Sequence, residues 1–366
     1  MTTRTKNFAI HAIISLGGGV LLFVQGAVLA AEDDAAAPSQ ASASSYTPMP
    51  IVSDDGTTLH QSPIHVESIP DWLREEYHLN PFYKKYTIID GIPIVGSEHV
   101  SDYAFLECAW TLDHLLYGRK MTHDALLKSK VRVGIIACTE YTMDIPENQN
   151  PRMIANGAYN DRRSRGLGGL PLATCAEENL LNLQGDPYTR ENITIHEFSH
   201  TVASAIRQVN RDWWNRLRDA YDNAVAGGGY GNSYAASNLQ EYWAEGAQCW
   251  FNCANPRNSG GASNRDELKA KDAALAALLT EVYGDGDWRY TKTMNRPADS
   301  PADVGHLTGM DRSKYPRFDF NKSPRIQAAN RPPAQTPAGD GKSGESSTPA
   351  TPPPANSDAT PKDSGK

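Results

Sequence analysis

Between Ser97 and Tyr117 apolar side chains return every fourth residue, at Val100, Ala104, Cys108, Leu112 and Leu116. That spacing puts them on one stripe of an α-helix. Asp71–Leu79 and Thr122–Ser129 predict two shorter helices. Val131–Cys138 is the clearest strand. Tyr86–Val95 carries β-branched residues around Asp90-Gly91, which predicts a hairpin or an edge strand. Glu178–Leu183 reads as a further strand, and the polar, Gly-, Asn- and Arg-rich stretch Thr139–Gly169 as one long loop. After Pro187 the pattern is helical almost throughout, with helices at about 191–208, 211–225, 237–253 and 264–283. Strands and mixed elements thus precede helices. The expected fold is α+β, a small mixed-sheet lobe followed by a mainly helical lobe with a cleft between them.

The two ends lack such patterning. Arg4 and Lys6 precede a stretch from Phe8 to Ala30 without a charged residue, closed by Ala27-Val28-Leu29-Ala30. Residues 1–30 therefore read as a cleaved export signal, with an uncleaved membrane anchor as the alternative. Export implies a secreted or periplasmic protein, with no stable membrane association after cleavage. Residues 31–48 and 322–366, rich in Pro, Ser, Ala and Thr, offer little apolar surface to offset chain entropy and are expected to be disordered. Residues 49–321 remain as the folded domain.

A formal net charge of −8 without a basic block argues against nucleic acid as a partner. Nothing in the composition fixes an oligomeric state. The 5 cysteines, Cys108, Cys138, Cys175, Cys249 and Cys253, are odd in number, so at least one is unpaired within the chain. Buried thiols or a single disulfide both fit.

The chemistry concentrates on two segments. In His196-Glu197-Phe198-Ser199-His200 the histidines lie one helical turn apart on one face, so their rings can converge on one metal ion. Glu197, offset by one residue, can hold a water beside the metal and take its proton. A third ligand is required, and the extended His-Glu-x-x-His-x-x-Gly-x-x-His pattern is absent, because Ala203 and Ile206 stand at the later positions. The best source is Glu241-Tyr242-Trp243-Ala244-Glu245, two acids one turn apart on an unusually apolar helix. Glu241 is assigned as ligand and Glu245 as a group that orients a ligand histidine. The competing reading is a pair of solvated surface acids.

Together these segments resemble the gluzincin zinc peptidases of the anthrax lethal factor type. There a His-Glu-Phe-x-His helix is followed by a tyrosine and then by a Glu-aromatic-aromatic-Ala-Glu segment. The resemblance covers about residues 191–253. It implies a zincin-like fold, a zinc cofactor, a peptide or protein substrate, and Tyr234 as hydrogen-bond donor to the developing oxyanion. Tyr234 has tyrosine neighbours at positions 221, 230 and 242, so a plain loop tyrosine is the alternative.

The segment Arg162–Pro171, basic and glycine-rich, is a candidate edge for pairing with a substrate backbone, its arginines meeting acidic substrate groups. A solvated basic loop is the bland alternative. Glu177-Glu178-Asn179 could border the cleft. Asn192-Ile193-Thr194 is a glycosylation sequon, but at the start of the metal helix a capping role suits Asn192 better. The functional expectation is a secreted zinc metallopeptidase with Glu197 as general base. The alternatives are a zinc hydrolase of another amide or ester and a non-catalytic exported binding protein of zincin shape.

Overall fold

The computed structural model describes residues 45–52 and 57–331. The export signal lies outside the described residues, as does most of each terminal segment. Among the described residues no helix is long and apolar enough to cross a membrane.

A short pair, β1 (Ile51–Val52) and β2 (Thr58–Leu59), precedes the main sheet. That sheet consists of β3 (Glu67–Ser68), β4 (Lys85–Ile89), β5 (Ile92–Gly96), β6 (Arg132–Ile136) and β7 (Leu172–Ala176), in that spatial order. β3, β4 and β5 are antiparallel, while β5, β6 and β7 run parallel. The β4–β5 hairpin turns at Asp90 and Gly91, both at positive φ (48° and 77°). Two central residues in the left-handed region match the right-handed strand twist, which explains the Asp-Gly pair.

The helices in chain order are α1 (Asp71–Glu76), α2 (Asp102–Leu116), α3 (Lys120–Lys128), α4 (Pro151–Ala155), α5 (Gly157–Arg163), α6 (Glu177–Leu181), α7 (Ile193–Val209), α8 (Arg211–Ala226), α9 (Leu239–Trp250), α10 (Arg265–Lys271), α11 (Ala273–Tyr283), α12 (Pro301–Val304) and α13 (Pro324–Ala329). The fold is mixed α+β, as the order of patterns predicts. Its chain divides into two compact units. Among the described residues, one holds those from 45 to 140 together with Arg165–Phe318; the other holds Tyr141–Ser164 and 319–331.

In the larger unit α2 lies against β4 and β5, and α7 against β7, α3, α8 and α9. The predicted stripe of α2 is fully buried, but the helix begins at Asp102 rather than Ser97, because the Ser101 hydroxyl accepts the Tyr103 N–H and caps it. Trp110, Trp213, Trp243 and Trp250 are all buried in the core. Tyr46 is buried as well, and its hydroxyl donates to Asp113 at 2.6 Å, so ordered structure begins before residue 49.

Three expectations are corrected. Glu178–Leu183 is not a strand: the strand is β7, and the chain turns at Ala176 into α6. A short apolar run does not distinguish helix from strand by period, and Glu177 and Glu178 in the first turn favour the helix end. The helix expected over 264–283 is two helices. Asp272 interrupts it with φ −144° and ψ 83°, and its carboxylate caps Leu275 while accepting the hydroxyls of Tyr230 and Tyr242. Finally, Thr139–Gly169 is not a continuous loop, since it contains α4 and α5.

In the smaller unit the buried Asp161 carboxylate accepts the Met143 N–H at 2.9 Å, the Ser323 hydroxyl at 2.7 Å and Arg325 at 3.2 Å. Pro324–Ala329 is helical, so ordered structure extends past the expected boundary at 322. All five cysteines are buried free thiols, which removes the disulfide reading.

Candidate metal centre

α7 starts where Asn192 stops the preceding chain. Its side chain accepts the Ile195 N–H at 2.9 Å, as expected of a cap, and Asn179 accepts the Ile193 N–H at 2.8 Å. Ile195, Phe198, Val202, Ala205 and Ile206 bury one face of the helix. α9 is capped by Asn238, which accepts the N–H groups of Gln240 and Glu241. It buries Tyr242, Trp243, Ala244, Ala247 and Trp250.

Two polar contacts fix the register between these helices. The Trp243 indole N–H donates to the Ser199 carbonyl at 3.0 Å, and the Gln248 amide donates to the Asn192 carbonyl at 3.2 Å. Both join buried groups, so a slip of either helix would strand donors and acceptors away from water. In this register Glu241 meets the two histidines.

Glu241 Oε2 lies 3.1 Å from His196 Nε2 and 3.4 Å from His200 Nε2, and the two Nε2 atoms are 3.2 Å apart. Three donor atoms around a tetrahedral zinc, at zinc–ligand distances near 2.0–2.1 Å, stand about 3.3 Å from one another. The observed triangle has those dimensions, and its donor set suits zinc. The residues present therefore fit the metal. Glu197, half-buried, also brings a carboxylate oxygen within 4.8 Å of ligand atoms of both histidines.

The charge balance points the same way. Burial favours neutral His196, yet the hydrogen bond its ring donates to Glu241 and the charges of Glu197, Glu245 and Glu241 outweigh it and push its pKa up to about 10. Burial likewise favours neutral Glu241, but hydrogen bonds to His196 and His200, with their charges, hold its carboxyl well below the usual range. The acidic side chains around the two imidazoles stabilise positive charge on His196.

The other side of His196 is held by two groups. Gln248 Oε1 lies 3.2 Å from Nδ1, while Glu245 Oε1 lies 3.7 Å away. Since the Gln248 amide nitrogen donates to Asn192, its oxygen faces the ring and accepts from Nδ1–H; a metal at the centre would displace the Nε2 proton and take that lone pair. Glu245 thus sits beside His196, but Gln248 holds the hydrogen-bonding position. Burial first, and then Glu191 and Glu241 against the opposing pull of His196, push the Glu245 carboxyl up to about 8. Among the described residues neither Glu245 Oε2 nor His200 Nδ1 has a hydrogen-bond partner.

Tyr234 opens a 3-10 turn, Tyr234–Ala236, 44% exposed, with its ring centroid 6.4 Å from that of His196. The neighbouring tyrosines are committed elsewhere. Tyr221 donates to the Ala236 carbonyl, and Tyr230 and Tyr242 donate to Asp272. Tyr234 is the member of the group beside the ligand histidine.

The glycine-rich segment crosses α7 directly over the site. Leu167 pairs with Thr174 of β7, extending the sheet edge, and the Gly169 N–H and carbonyl both meet the Thr201 hydroxyl at 3.0 Å. A β-carbon on Gly168 would come within 2.2 Å of the Glu197 carbonyl oxygen, so only glycine allows this approach. Arg165 does not face a substrate. It is fully buried, paired with Glu178 at 2.6 and 3.0 Å, and stacked over Phe318 at 4.0 Å. Burying a guanidinium requires such a partner, which consumes Glu178 too. Glu177 is buried and accepts the N–H groups of Ser101 and Cys138, and Asn179 braces the start of α7. The acidic triplet is thus scaffold rather than cleft wall.

Gln248 is the contributor missed from sequence, while Gly168 belongs to the glycine-rich segment already singled out, though for approach to a substrate rather than to α7. Gln248 falls three residues after Glu245, on the same helix face, and that spacing was the available signal. The chain matches no family model, no curated protein and no solved structure.

Proposed function

We propose that this chain is an exported zinc metallopeptidase with a zincin-like arrangement, whose ligands are His196, His200 and Glu241. The observation that carries the reading is the triangle of donor atoms with edges of 3.1, 3.2 and 3.4 Å, drawn from two helices in fixed register.

A zinc ion held there supplies Lewis-acid activation of water and of a scissile carbonyl. The Glu197 carboxylate, next to that point, takes a proton from the attacking water and returns it to the leaving amine. Gln248 and Glu245 hold His196 in orientation, and Tyr234 donates a hydrogen bond to the oxyanion. Within Leu167–Gly169 the outer two residues bond Thr174 and Thr201, so Gly168 is the one backbone position the segment gives an extended peptide to pair with above α7.

The test is cleavage profiling of the purified protein against a mixed peptide library, with parallel ester and simple amide substrates and with a chelator. Chelator-sensitive peptide cleavage is the expected result. Turnover of esters or simple amides alone would assign a different hydrolase, and zinc binding without any turnover would leave a binding protein.

A further inference from the structure

Beyond His200, α7 borders a second feature. A cleft of about 500 Å³ is lined by Leu170, Ser204, Arg207, Gln208, Val209 and Arg211. It contains two guanidinium groups, a hydroxyl and an amide against an aliphatic wall, and no carboxylate lines it. The Arg207 guanidinium carbon lies 4.7 Å from the centre of the Trp214 ring, and a guanidinium stacked on an aromatic face keeps its in-plane N–H donors available. Arg207 and Arg211 are exposed and, like most arginines among the described residues, take part in no ion pair, so their guanidinium groups are open to an outside partner. Two guanidinium groups beside a hydroxyl and an amide suit a carboxylate from outside the chain.

The location ties this cleft to the metal centre. Ser204 is one turn beyond His200 on α7, a rise of about 6 Å, and Arg207 about 10 Å. Leu170 directly follows the glycine segment that crosses α7 over Glu197 and His200. An extended peptide advances about 3.3 Å per residue, so a chain running along α7 past Gly168 would carry a side chain into the cleft two to four residues from the bond at the metal.

We infer that the Arg207–Arg211 cleft is a subsite for a peptide carboxylate, making the preferred substrate one with a negative charge two to four residues from the scissile bond. This rests on the peptidase reading of the same site. The carboxylate can be an Asp or Glu side chain or a free C-terminus, and the test separates the two.

The full chain carrying Glu197→Gln is titrated with ten-residue peptides whose N-terminus carries an uncharged dansyl label. One has a central Glu and an amidated C-terminus, one has Gln in its place and a free C-terminus, and one is neutral throughout. One charged peptide is expected to bind about tenfold more tightly than the neutral one, with added salt weakening the difference. Arg207→Gln with Arg211→Gln should abolish the preference, and the Lys pair should restore part of it. Equal affinity for all three peptides, or a preference untouched by the double Gln variant, would overturn the subsite. The outcome is independent of turnover. Arginine-dependent binding by a protein that holds no zinc would defeat the peptidase reading and leave the cleft, whereas cleavage without charge preference would defeat the cleft alone.

Discussion

Gly168 presses so closely on Glu197 that a β-carbon added to it would stand 2.2 Å from the Glu197 carbonyl oxygen and 2.7 Å from the His200 β-carbon. The segment over the metal helix and the helix itself are therefore one packed unit. Gly168→Ala should force them apart, costing about 1–3 kcal/mol as overpacking does. Gly169, where an added β-carbon meets nothing within 4 Å, is the control; Gly169→Ala should change stability by less than about 0.5 kcal/mol. Urea unfolding of the two variants checks this, and equal stabilities would contradict the packing.

Gln248→Leu removes the acceptor 3.2 Å from His196 Nδ1. Zinc affinity, measured by competition with a chromophoric chelator, should fall about 10–100-fold. Gln248→Glu should recover much of it. If Gln248→Leu binds zinc like the parent, Glu245 at 3.7 Å is the group that orients the ring.

Glu197→Gln keeps the size of the side chain and removes its basicity. Zinc content should be unchanged, while kcat for peptide cleavage should fall by about 10²–10⁴-fold. Single-turnover kinetics on a quenched fluorescent peptide provides the measurement. Turnover at the parent's rate would exclude Glu197 as the base.

Two buried carboxylates give opposite pH dependences of stability. Burial would raise Glu107, but the charge of Arg296 and the hydrogen bond of His306, at 2.6–2.9 Å, outweigh it and hold the carboxyl below its usual 4.5. Its contribution is present above 4.5 and disappears as pH falls through the lower folded value. Glu177 is pushed by burial up to about 7, despite the Cys138 and Ser101 N–H groups. Its stabilising effect is full below 4.5 and disappears as pH rises through about 7. Unfolding free energies of the metal-free protein should therefore flatten below pH 4.5 in Glu107→Gln. They should flatten between about pH 4.5 and 7 in Glu177→Gln, by up to about 1.4 kcal/mol per pH unit. Slopes like the parent's in both variants would contradict the assignments.

Much of the candidate site was legible because its signals are local. His196 and His200 share a helix face through their spacing alone, and the apolar neighbours of Glu241 and Glu245 placed those acids against a partner. Gln248 was not legible, because its role depends on how α9 registers against α7, which the Trp243–Ser199 contact fixes across 44 residues. What constrains Gly168 was hidden for the same reason, being a backbone 29 residues away. In the fold, the long periodic helices were readable, and the errors fell on short or interrupted elements. α6 has too few residues to show a period, and the break at Asp272 is made by two distant tyrosine hydroxyls as well as by its own cap. Arg165 looked like part of a basic surface because its partner Glu178 lies on the far side of β7 in sequence.

The central claim is tested most directly by the zinc content of the purified chain, measured by mass spectrometry beside Glu241→Ala and Gly169→Ala. The account predicts about one zinc per chain in the parent and in Gly169→Ala. In Glu241→Ala it predicts a loss to well under half, since only two protein ligands then remain. A parent without zinc after exposure to it, or full zinc in Glu241→Ala, would contradict the metal centre proposed here.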